Sequence, residues 1–185
     1  QAVQLVATAA AQPRTFTSTA AGAIGFAGTV DAAGSGTANL TINTAGQTHL
    51  AGAVGGLSPL NAVTTDAAGT LLITSPSIRT VGAQLYGDAA TQSGTTTFES
   101  TGNGDISLAN AGNDLSNVGV TSARNVTLVD TNGLTLAGST VSNALSVSTG
   151  GALVQTGAIR SPSLVAQAGG DNVLTNPGND VDVLT

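Results

Sequence analysis

Along most of this chain, aliphatic residues alternate one by one with hydroxyl or amide residues, as in Val126, Thr127, Leu128. That period of two places one set of side chains on each face of a β-strand. The alternating runs are short, and clusters of Gly, Asn, Asp and Ala that favour turns separate them. Sliding the second half of the chain against itself reveals a recurrence of 19 to 20 residues. Ile106 and Leu108 in GDISLAN return as Val126 and Leu128, then as Leu145 and Val147, then as Leu164 and Ala166. A second strand shares this ladder through Leu115, Leu134, Leu153 and Val173, each preceded by Gly or Asn.

A single such coil cannot bury its apolar face, but stacked coils can. Residues one turn apart then lie about 4.8 Å from each other, and their inward side chains form continuous columns. The expected fold is therefore all-β, a right-handed parallel β-helix of about 19–20 residues per rung, with roughly nine rungs and a length on the order of 40 Å. Residues 104–176 give regular rungs, and residues 1–103 a less regular part of the same single repeat region 1–185. In that first part ANLTINT, NAVTTDA, TLLITSP and TTTFEST are candidate strands, with Leu40 to Leu60, Val54 to Ile73 and Ile78 to Phe98 as candidate spacings. The prolines in AVGGLSPLNAV and TSPSIRTVGAQ mark longer corners or looped excursions.

Composition narrows the picture further. Apolar residues make up 41% of the chain but aromatics only 2%, so the core is narrow and filled by small branched side chains. Gly, Thr, Ser, Asn and Val are mediocre to poor helix formers, which disfavours helix. The absence of cysteine removes disulfides and thiolate metal sites. A net charge of −6 offers no electrostatic footprint for nucleic acid and disfavours anionic membrane surfaces. No apolar run approaches the roughly 18 residues of a spanning helix, so no membrane insertion is expected. The start at Gln1 carries no leader pattern, so an export signal is expected to lie outside this piece.

Candidate chemistry is sparse, and the expectation is a protein that is not an enzyme, with no catalytic residues, no metal site and no cofactor. His49, the only histidine, stands between Thr48 and Leu50 with no neighbour at metal-ligand spacing. No G-x-S-x-G elbow occurs to build a serine nucleophile. Asp180 and Asp182 share one strand face, and GND occurs at 112–114 and 178–180. Sugar cleavage by paired carboxylates competes there with turn residues that bond their own backbone, and the second reading is preferred. Gly169 to Asp180 has the ingredients of a calcium loop but not the tandem nine-residue period that would stack ligands. Asn39-Leu40-Thr41 and Asn125-Val126-Thr127 match the glycosylation triplet, which a Thr-rich chain also produces by chance. An ice-binding threonine ladder fails quickly, because 19 residues after Thr127 comes Ser146 and then Val165.

The strings AVGGLSPLNAVTTDAAGTLLI, TVGAQLYGDA, NAGNDLSNVGVTSARNVTLVDTNGLTLAGSTVSNALSVSTGGALVQTGAI and AGGDNVL resemble the repeats of filamentous-haemagglutinin-like adhesins and exoproteins of Gram-negative bacteria, of the two-partner secretion or autotransporter passenger type. The resemblance covers roughly residues 20 to 176. It implies export across the outer membrane, an extracellular or outer-surface location, and long β-helical fibres with adhesive or matrix roles. The expected function is a structural fibre or stalk segment, a fragment of a longer chain. Its partners would be a continuation of the same β-helix end to end, or other copies. A glycan- or receptor-binding module, with residues 54 to 62 as one contact, is the first alternative; a polysaccharide-degrading enzyme is the second. The ligand-binding residues of such a module are unknown from sequence.

Overall fold

The computed structural model describes residues 3–6 and 12–185, so Gln1 lies outside it. It is a parallel β-solenoid of about 8 turns, with no helix among the described residues. Its strands pair with the coil before and the coil after, always in parallel. Three sheet faces enclose one core. On the longest face a single inward column runs Leu40, Val63, Gln84, Ile106, Val126, Leu145 and Leu164, each beside the next. All seven are buried, and six of them are aliphatic. The third face carries Val30, Val54, Ile78, Phe98 and Val120 in one column.

The register read from the second half holds. Ile106, Val126, Leu145 and Leu164 stack in that order, as do Leu108, Leu128, Val147 and Ala166. Leu134 lies beside Leu153 as expected, but Leu153 then meets Asn172, and Val173 falls against Val154. The Val173 side chain is exposed, so that rung is one residue out of the expected register.

In the first half two of the three expected spacings are wrong. Leu40 pairs with Val63 and Val54 with Ile78, whereas Ile78 does pair with Phe98. The reason is coil size. Gln12 lies beside Ala38, 26 positions on, and Ala38–Thr44 lies over Ala62–Thr65 at a separation of 23; the interval then varies, 21 from Val63 to Gln84, 20 from Ile78 to Phe98 and 22 from Gln84 to Ile106, and from Ile106 to Val126 onward it stays at 18 to 20. The larger coils also explain why about 8 turns form instead of nine. Extra residues enter at corners, such as the loop Gly55–Pro59 between the paired residues Val54 and Leu60. The second proline segment is not an excursion: Pro76 leads directly into the strand Ser77–Thr80, and its carbonyl accepts the Thr97 N–H at 3.0 Å.

In the regular half the strands Asn117–Asp130 and Leu134–Thr149 each run around a corner as one continuous strand, with register shifts between Val118 and Gly119 and between Val120 and Asn125 where a few residues go unpaired. Glycine lets neighbouring coils close up at the next corner. A Cβ on Gly150 would strike the Thr131 carbonyl of the preceding coil, and one on Gly169 would strike the Gly150 carbonyl. These glycines are therefore required by close backbone approach, not by turn conformation.

Candidate functional site

At six places along the chain, a buried or half-buried polar side chain donates to the carbonyl two residues further on, a backbone group that would otherwise need another partner. Ser75 donates to the Ser77 carbonyl, Thr80 to Gly82, Gln92 to Gly94, Thr149 to Gly151, Gln155 to Gly157 and Ser161 to Ser163, all at 2.6–2.9 Å. Gln92 does more. Its Nε2 also donates to the Asn117 carbonyl one coil on, and its Oε1 accepts the Ser116 and Asn117 N–H groups.

The two GND segments belong to one five-residue module, NAGND at 110–114 and NPGND at 176–180. In each, the first Asn accepts the glycine N–H at 2.9 Å. The second Asn, Asn113 or Asn179, donates to a carbonyl five residues earlier and accepts an N–H from the preceding coil, that of Ala90 or Ile159. The same module thus turns two different corners of the solenoid. The asparagines are turn residues bonded to backbone, and Asn176 and Asn179 use their side-chain oxygens in this way within the Gly169–Asp180 segment. Asn113→Ala is expected to lower stability by about 2–4 kcal/mol, because buried backbone groups left unpaired cost about 1–3 kcal/mol each. Thermal melts followed by circular dichroism measure it.

The other weighed residues are scattered over the surface. His49 faces outward on the strand Gln47–Leu50, its Nε2 3.0 Å from the Thr74 hydroxyl. Asp180 and Asp182 do share one face of Asp180–Leu184, and they bring Arg160 alongside, since Arg160 and Asp180 are strand partners. Asn125 donates to Asp105 and accepts from Asn143, and Asn39 accepts from Asn61. Beneath Thr127 come Ser146 and Val165, as the spacing requires, but above it the outward column runs Thr15, Thr41, Thr64, Leu85, Ser107. Unequal coil lengths hid that longer run of hydroxyls from any fixed-period search. Among the described residues, no group of three or more His, Cys, Asp and Glu side chains comes together in a way that could hold a metal ion.

Shallow hollows mark the surface of the described residues, three of them notable. One of about 300 Å³ has a floor of Gly119, Ala137, Gly138 and Gly157 with Thr97 and Arg160 at its sides. A second of about 190 Å³ lies across Arg160 and is bounded by Ser142, Pro162, Asp180 and Asp182. The third, of about 250 Å³, lies beside the loop Gly55–Pro59. There the buried carboxylate of Asp31 accepts the Leu57 and Ser58 N–H groups at 2.8 and 3.1 Å and holds Leu57 out, 89% exposed.

Burial raises the carboxyls of Asp88 and Asp130 above the ordinary range, while the Arg124 guanidinium, bonded to both oxygens of Asp105, lowers that one. A raised carboxyl contributes stability that is fully present below its unfolded pKa and lost as pH rises through its folded value; a lowered one contributes stability lost as pH falls through its folded value. With two raised groups against one exposed pair, melting temperature is expected to be higher near pH 4 than at pH 7, taking about 4 as the ordinary carboxylate value. It should fall again as Asp105 protonates. Asp88→Asn is expected to flatten the decline between pH 4 and 7, measured by melts across that range.

Among known proteins, a family described as repeats of unknown function (DUF5649) matches residues 123–185. No curated protein and no solved structure matches the chain.

Proposed function

We propose that this chain is a stalk or fibre segment of a secreted bacterial surface protein, a scaffold that sets distance and carries other regions. The carrying observation is the uninterrupted stacking of about 8 turns on one inward column, which makes a stiff rod out of short repeats. The β-helical repeat architecture is that of a scaffold, and the resemblance to filamentous-haemagglutinin-like repeats supports an extracellular place for it. Negative-stain images and small-angle scattering of the purified chain should give rigid rods on the order of 40 Å, or end-to-end files of them. A compact, isometric particle overturns the reading.

The two hollows flanking the exposed Arg160 favour one second reading, a module that binds glycan or a receptor. It expects glycan-array or cell binding by the isolated chain that Arg160→Ala abolishes. A blank on both leaves the scaffold role alone.

A further inference from the structure

The chain contains two Asn–Gly pairs, Asn103–Gly104 and Asn132–Gly133. Such a pair is intrinsically prone to ring closure, because glycine has no side chain to obstruct attack of its backbone nitrogen on the preceding side-chain amide. The fold treats the two very differently. The Gly104 N–H is committed to the buried hydroxyl of Ser100 at 2.8 Å, and Asn103 is held in the left-handed region at φ 63° with its side-chain oxygen accepting from Ser142 at 2.6 Å. Ser142 polarises that amide, but the nitrogen that must attack it is locked.

At the second pair both residues are exposed, and the Gly133 N–H has no acceptor among the described residues. The carbonyl of the same peptide unit, that of Asn132, accepts the Gly151 N–H at 2.6 Å. A donor on that oxygen disperses the negative charge that forms when the Gly133 nitrogen loses its proton. The Asn132 amide nitrogen is tethered only by one surface bond to Asp114 at 2.9 Å.

We infer that Asn132 is a site of spontaneous modification to aspartate and isoaspartate in the folded protein, and that Asn103 is shielded from it. Base removes the Gly133 amide proton, and the nitrogen bonds to the Asn132 side-chain carbonyl carbon. The carbon–nitrogen bond of the amide breaks, and ammonia leaves with protons from water. Water then opens the five-membered imide at either carbonyl, so the net change is uptake of water and loss of ammonia, with no redox partner. The product carboxylate replaces a donor facing Asp114 with a like charge, beside Asp130, whose Oδ2 already accepts the Asn132 N–H at 3.1 Å. Modification therefore loosens the corner between two coils of the regular half.

The test is to hold the folded 185-residue chain at mildly alkaline pH and follow both asparagines by peptide mass spectrometry, with an isoaspartate-specific methyltransferase assay. Conversion at Asn132 should exceed that at Asn103 by roughly tenfold or more, the factor one hydrogen bond makes. Amide hydrogen exchange should be faster at Gly133 than at Gly104, a readout that does not depend on any variant. Ser100→Ala frees the Gly104 N–H and should raise conversion at Asn103, while Asn132→Gln abolishes the main product. The inference is overturned if Asn103 converts as fast as Asn132, or if Asn132 converts only once the chain is denatured.

Discussion

Leu145→Asp is expected to abolish cooperative folding of the regular half at neutral pH. Leu145 is fully buried, with Val126 on one side and Leu164 on the other in the same column. A carboxylate there meets aliphatic side chains, and no cation is at hand, since Arg79 and Arg124 pair with Glu99 and Asp105 on the outside and Arg160 is exposed on the outer surface. An unpaired buried charge costs roughly 3–5 kcal/mol in addition to the lost apolar burial. Whole domains hold only about 5–15 kcal/mol, and each coil depends on its neighbours, so the loss spreads beyond one turn. Circular dichroism and limited proteolysis should show the coils from Asn117 to Ala168 opening first. Two controls sharpen the test. Thr127→Asp, on the outward side of the neighbouring strand Asn117–Asp130, should change stability by no more than about 0.5 kcal/mol. Acid should partly restore Leu145→Asp by neutralising the carboxyl. If Leu145→Asp melts like the parent at neutral pH, the side chain does not point inward.

The second large effect lies at Gln84, the one polar residue in that column. Its Nε2 reaches the Ile78 carbonyl, the Thr80 hydroxyl and the Glu99 carbonyl, and its Oε1 accepts the Tyr86 hydroxyl at 3.0 Å. Tyr86 in turn stands edge-on to Phe98 at 5.9 Å, and burial holds its phenol well above its ordinary pKa. Gln84→Leu keeps the volume but strands the carbonyls and the phenol, so a loss of about 3 kcal/mol is expected. Tyr86→Phe alone should cost about 1–2 kcal/mol. The pair should couple: with Gln84→Leu in place, Tyr86→Phe removes an orphaned hydroxyl and should cost nothing further or recover stability. Strictly additive losses in a double-mutant cycle would show that the two side chains do not share a bond.

Much of the architecture was legible because it depends on alternation and on a constant period. Where the coil holds 19 or 20 residues, the positions from Ile106 to Leu164 stack as spacing alone says. Where corners lengthen, as at Gly55–Pro59, a fixed period misassigns Leu40 and Val54, since the inserted residues leave no trace in the strands themselves. The third face, touched in the first half by the pairing of Ile78 with Phe98, was missed in the second half for a related reason. Val118, Val120 and Leu136 lie in strands that continue around a corner, so their apolar signal merges with that of the neighbouring face. Gln84 and Gln92 were missed because alternation marks an inward position by its apolar residue. The repeated Gln-x-Gly and Thr-x-Gly spacing at Thr80, Gln92, Thr149 and Gln155 was the available clue. Of the weighed polar residues, only Asp180 and Asp182 acquire a notable neighbour, Arg160, and that placement follows from coil stacking that their own sequence context does not show.

The shrinking interval, from Gln12 over Ala38 to Val126 over Leu145, gives the molecule a wide end and a narrow one. A perimeter that falls from 26 residues to about twenty over the described coils tapers the rod, and a taper gives its axis a direction that averaged images of the purified chain would register.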